Sequence, residues 1–159
     1  MHRYPYLNYS RMKNVTLKDF SILICILFGT AQVAAGTASS ADKFRPCPES
    51  PNCVSSLSKD EKHFIKPFVY SGSFETARQK LIGALKNSRG VRMVTIEKAY
   101  LHAEFRSLIF RFVDDVEFYF PDGEPVIHVK SASRTGYYDF GVNRRRLERL
   151  RSAFEDQAQ

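Results

Sequence analysis

The sequence predicts an α+β domain: a helix, four antiparallel strands and a second helix, with both helices packed on one face of the sheet and an extended arm rich in Cys, Pro and Ser in front. Three observations carry that expectation. Apolar and polar residues alternate at period 2 through residues 100–133, in YLHAEFRS, IFRFVDDVEFYF and VIHVKSAS, with short turn-like breaks between them. Apolar residues recur at helical spacing on both sides of that stretch. Residues 42–72 hold Pro46, Pro48, Pro51 and Pro67 together with Ser55, Ser56 and Ser58, a composition suited to a segment laid over a domain.

The elements follow in order. Arg11, Lys13 and Lys18 precede the apolar run 20–28, and small residues fill 29–41, so residues 1–41 have the layout of a signal peptide, with Met12 a credible true start. The alternative is an uncleaved anchor over 20–36, but Thr30, Gln32 and two glycines interrupt it and it is short for a span. The chain is thus expected to be exported, to the periplasm or beyond the cell.

At 159 residues, 43% of them hydrophobic, the chain suits one globular domain. Loss of residues 1–41 lowers the count of basic and acidic residues from 24 and 17 to 20 and 16, a net charge of +4, and leaves only Cys47 and Cys53. An even cysteine count in an exported chain points to a disulfide, which over so short a ring contributes roughly 2 kcal/mol and mainly stiffens its loop. Modest charge and export both disfavour nucleic acid as a partner.

Ser73 is placed to N-cap a helix that carries Glu75 in its first turn and Phe74, Ala77, Leu81, Ala84 and Leu85 on one stripe, with Gly90 as its stop. A strand follows over 91–97, then the three alternating segments. The last helix, from about 142 to 155, buries Leu147, Leu150 and Phe154, and residues 157–159 form a tail.

Turn chemistry suggests a register. A two-residue hairpin at Ser107 and Leu108 sets Arg106 opposite Ile109, Glu104 opposite Arg111 and His102 opposite Val113. A four-residue turn from Pro121 to Glu124 sets Phe120 opposite Pro125, Glu117 opposite His128 and Asp115 opposite Lys130. In that register His102 and His128 stand about 13 Å apart along the sheet and about 10 Å across it, too far to share a metal ion. Nothing in the sequence calls for a metal or a cofactor.

Phe110, Phe112, Val116, Phe118 and Phe120 point inward by parity, and Asp114 stands in the middle of their row. A carboxylate there needs a partner. The register offers Ser131, with Ser133 one pleat on. The last helix opens with Asn143, Arg144, Arg145 and Arg146, three cations at the end where the helix dipole is already positive, so an anion must compensate. Asp114, Asp139 or a bound ligand could do so, and an internal ion pair tying helix to sheet is the simplest arrangement.

These residues carry a resemblance. S-P-N-C-V-S-S at 50–56, H-A-E-F at 102–105, F-R-F-V-D-D-V-E-F at 110–118, I-H-V at 127–129, S-A-S-R at 131–134 and G-V-N-R at 141–144 resemble the DUF1499 family, a domain of unknown function, in its exported bacterial form. The resemblance spans about residues 47–154 and implies no established activity.

Three functional expectations remain. In the first, an exported binding or accessory module forms one polar, partly basic pocket from Asn52, Ser55, Ser56, Asp114, Ser131, Ser133, Arg134, Asn143 and Arg144, for an anionic small molecule, a lipid headgroup or a protein partner. In the second, a hydrolase or transferase uses Asp114 or His102 with Ser55, Ser56 or Cys53. In the third, the protein is a structural envelope component, touching the membrane only through a retained N-terminal segment.

Overall fold

A computed structural model describes residues 43–156; the expected signal segment 1–41, its anchor alternative over 20–36 and the tail 157–159 lie outside the described residues. Eight elements follow in order: β1 (Cys53–Ser55), β2 (Phe68–Val69), α1 (Phe74–Lys86), β3 (Val91–Ile96), β4 (Tyr100–Arg106), β5 (Val113–Tyr119), β6 (Val126–Ser133) and α2 (Val142–Asp156).

The class agrees with the sequence, but the sheet has six strands where four are expected. Its order is β1-β6-β5-β4-β3, and β2 also pairs with β6, all antiparallel. The two extra strands come from the arm. Three and two residues long, they are too short to show a period, yet they cover what would otherwise be a bare eight-residue edge at β6.

Helix α1 begins as its sequence dictates: the Ser73 hydroxyl accepts the Thr76 amide at 3.1 Å and Glu75 sits in the first turn. Its exit needs Gly90, whose φ is 72° and whose missing Cβ would stand 2.5 Å from the Arg106 carbonyl oxygen. Both helices bury their apolar stripes, Leu81 and Leu85 from α1, Leu147 and Phe154 from α2, in one core with Leu101, Ala103, Val116, Phe118, Ile127 and Val129. Phe68 meets Phe118 edge-on at 6.2 Å, and Phe74 meets Phe120 at 5.2 Å. Among the described residues no helix is long and apolar enough to cross a membrane.

Both turns are longer than expected. Arg106 pairs with Val113 instead of Ile109, so residues 107–112 form a six-residue loop; Tyr119, the last residue of β5, pairs with His128, and β6 starts at Val126, so 120–125 form another. Glu104 therefore faces Asp115 and not Arg111, His102 faces Glu117 and not Val113, Glu117 faces Lys130 and not His128, and Asp115 faces Ala132 and not Lys130. The first shift is four residues and the second two. Even shifts preserve parity, so the expected faces hold while every cross-strand partner changes. The exception is the loop itself: Phe110 and Phe112, expected inside, are 73% and 55% exposed.

Candidate functional site

Asp114 is buried on the helix-covered face, opposite Phe105 and Ser133 instead of Ser131. Its partner is Arg146, whose Nη2 donates to Asp114 Oδ2. The compensating cation thus comes from the three arginines that open α2, but it is not Arg144, which points elsewhere and donates to the Lys62 carbonyl at 3.1 Å. Helical spacing explains the choice. Asn143, Arg146, Leu147, Leu150 and Phe154 share the inward stripe, and a residue one place after Asn143 is turned about 100° away from it.

Around that pair the polar groups close on one another. Arg146 Nη1 donates to Asn143 Oδ1 at 2.7 Å and to the Ser131 hydroxyl at 3.2 Å, and Ser131 donates to Asn143 Oδ1 at 2.5 Å. Asn143 Nδ2 donates to the Asn52 carbonyl, Ser133 Oγ and Asp139 Oδ2, each at 2.9 Å. Asp139 also accepts the Gly141 and Asn143 amides at 2.9 and 2.8 Å, which satisfies the open end of α2 and sets a carboxylate against its dipole. Burial pushes the Arg146 guanidinium down from its ordinary value and Asp114 opposes it. Its charge centre also lies 4.9 Å from the Phe105 ring centre.

The expected pocket is therefore divided. Asn52, Ser131, Ser133 and Asn143 do meet, with Asp114 joined to them through Arg146, but as a closed network. Ser55, Ser56, Arg134 and Arg144 stand apart from it. The Asn52 side chain receives the Ser50 hydroxyl at 2.7 Å and donates to the Gly136 carbonyl. Ser55 Oγ accepts the Leu57 amide at 3.2 Å, and Ser56 Oγ accepts the Val129 amide at 2.9 Å with His128 Nδ1 3.2 Å away.

Arg134 lies on the opposite face of the sheet. It binds Asp115 Oδ1 and Glu104 Oε1 at 2.7 and 2.6 Å, which reconciles two carboxylates that face each other, and Arg92 reaches Glu104 Oε2 at 2.7 Å. His102 Nε2 is 2.7 Å from Asp115 Oδ1. Hydrogen bonds from Arg92 and Arg134 hold Glu104 below the ordinary carboxylate range; for Asp115 burial acts upward, but Arg134 and His102 outweigh it.

The catalytic pairings do not form. Cys53 is in a disulfide with Cys47, Asp114 is bound by Arg146, and His102 is bound to Asp115. Ser56 and His128 come together, yet among the described residues no carboxylate bonds His128 to orient it. No group of three His, Cys, Asp or Glu residues among the described ones is placed to hold a metal ion.

An open site does exist, at residues outside the expected pocket. A cleft of about 310 Å³ lies between the end of α1, strand β4 and α2, lined by Ser88, Arg89, Phe105, Arg146, Arg149 and Leu150. Arg146 reaches it because Asp114 and Asn143 hold the guanidinium in place, whereas Arg89 and Arg149 have no ion-pair partner among the described residues. Arg149 and Leu150 stand three and four residues after Arg146 along α2, a signal present in the sequence and masked there by the run of arginines before it. A second cleft, of about 440 Å³, lies along the arm between 44–49 and 55–63; its His63 and Asp60 pair at 3.1 Å.

No curated protein matches the chain. The model of the family described as "Protein of unknown function (DUF1499)" matches residues 43–154, well over half of the chain and all of the elements just described except the last two residues of α2, and the chain belongs to that family.

Proposed function

We propose that this protein is a small binding module for an amphiphilic anion, one bearing a phosphate or carboxylate beside an apolar portion, held in the cleft between α1, β4 and α2. The convergence of Arg89, Arg146 and Arg149 there, against the single carboxylate of Asp114, carries the reading. Guanidinium groups match the oxygens of phosphates and carboxylates with paired donors. Phe105 and Leu150 supply the apolar wall. The closed network of Asp114, Ser131, Ser133 and Asn143 then acts as a scaffold that presents Arg146, and Arg144 and Arg134 have no part in the cleft. Export to an oxidising compartment belongs to the same reading and is supported by the Cys47–Cys53 disulfide.

The test is a calorimetric titration with phenyl phosphate and with inorganic phosphate, on the wild type and on Arg89→Glu/Arg149→Glu. Both side chains are exposed, so the fold should tolerate the change. The expected result is tighter binding of phenyl phosphate than of phosphate, weakened about tenfold or more in the variant. Equal affinity in variant and wild type, or no binding to either, sinks the proposal.

A further inference from the structure

Two segments leave the sheet at one end: the loop 107–112 between β4 and β5, and the segment 134–141 between β6 and α2. The Arg134 amide donates to the Val113 carbonyl at 3.1 Å, so their roots are adjacent. Both carry large apolar side chains into solvent. Leu108, Ile109 and Phe110 are 80%, 82% and 73% exposed, Phe112 55%, Tyr138 66% and Phe140 86%. Arg111 and Phe140 hold the left-handed backbone, at φ 57° and 52°, an uncommon conformation for residues of this size and one that recurs at functional loops. Such a cluster on a folded domain marks an interaction surface.

Charge identifies the partner. Arg106 borders the first loop and Arg111 lies within it, and neither has an ion-pair partner among the described residues. The loop 107–112 holds no acid, and the one acid of the second segment, Asp139, is turned inward to cap α2. The Arg106 amide donates to the Gly90 carbonyl at 2.9 Å, which sets Arg89 and the arginine cleft at the root of the same loop. Apolar tips flanked by the unpaired Arg106 and Arg111 complement an anionic phospholipid surface. Shape agrees: although Phe110 stacks on Phe112 at 5.7 Å, the tips still stand 55–86% exposed, as side chains that enter a headgroup layer would.

We infer that this end of the molecule docks on anionic membranes, the loops 107–112 and 134–141 entering the headgroup boundary while the cleft of Arg89, Arg146 and Arg149 takes a lipid phosphate. The lipid assignment rests on the anion-binding reading above, and the docking loops can be tested apart from it. Each large apolar side chain that enters the interface contributes about a tenfold gain in partition, and each arginine near the surface about fivefold.

The full chain is sedimented with vesicles of phosphatidylcholine, with and without phosphatidylglycerol, alongside Phe110→Ser/Phe140→Ser. Both positions are exposed, so the variant should fold, and any pull from residues 1–42 is common to both proteins. Binding is expected to be stronger with phosphatidylglycerol than without it, and that gain should fall about tenfold or more in the variant. The chain contains no tryptophan, so Phe140→Trp should report entry by a blue shift of its emission on vesicles, while Val69→Trp, exposed at the other end of the sheet, should not shift. Equal binding by wild type and variant, equal binding to neutral vesicles, or an unshifted emission from Phe140→Trp overturns the inference, as does a dimer dispersed by the variant with no vesicle binding. Phenyl phosphate separates the two ideas: binding retained with no docking leaves the cleft reading intact, and no binding by the wild type removes the lipid phosphate whatever the loops do.

Discussion

The two ends of the sheet carry similar aromatic residues and treat them in opposite ways. At the end where β5 finishes, Phe120 is 1% exposed and packs against Phe74 and Tyr70, covered by the arm and the start of α1. At the end where β5 begins, Phe110 and Phe112 stack on each other at 5.7 Å and stay exposed, and Tyr137 and Tyr138, also exposed, meet at 4.8 Å. Composition does not separate the ends; cover does. Burial of the first set stabilises the fold, and exposure of the second leaves its apolar surface available to something outside the chain.

The widest separation should come from truncating one ring at each end. Phe120→Ala is expected to destabilise by about 3–5 kcal/mol, since it loses transfer energy and leaves a cavity, while Phe110→Ala should stay within about 0.5 kcal/mol. Urea denaturation of both variants measures the contrast. Similar losses at the two positions would mean that the loop 107–112 is packed in solution and would break the comparison.

A smaller effect is expected where the open end is tied to α2. Asp114→Asn keeps the shape and removes the charge that Arg146 bonds, and should cost about 2–3 kcal/mol by the same assay. Arg106→Ala, exposed at the same end, should be near neutral. A neutral Asp114→Asn would show that Arg146 keeps its place in the cleft wall without help, and the role of the ion pair in presenting its guanidinium there would go with it.

What can be read from the sequence follows the same division. Period-2 parity places Phe118, Phe120 and Asp114 inside, and helical spacing places the second helix within a residue and the first at its start, three residues short of the expected stop at its end, because burial on one face imposes those periods directly. Turn length has no such constraint. Residues Ile109 to Phe112 run on into the alternation of β5 while lying outside it, so period alone extends the strand through them and buries two phenylalanines that face water. The cleft is hidden for another reason: Arg89 and Arg149 are 60 positions apart and meet only through the packing of α1 on α2, which no local pattern encodes.

Acid should separate the ends by the mildest effect of the three. His128, opposite Tyr119 near the covered end, is held below its ordinary value of 6.5 by burial, with Glu124 opposing. The folded state therefore resists a proton that the unfolded chain accepts, and the stability this gives is full above about pH 6.5 and is lost as pH falls through that value toward the folded one. Glu104 and Asp115, nearer the open end, lie below their ordinary values of 4.5 and 3.8 because Arg92, Arg134 and His102 bond their charged forms. Their contribution is full above those values and disappears only as pH drops below them. The midpoint of thermal unfolding should thus decline in two stages on acidification from about pH 8 to about pH 3. His128→Gln, whose amide can still meet Ser56, should flatten the upper stage and leave the lower. Arg134→Met should lower the midpoint at neutral pH and approach the wild type at the acid limit, because the paired carboxylates it abandons are then protonated. A single stage in the wild type, or an upper stage that survives His128→Gln, would show that the covered end does not hold His128 neutral.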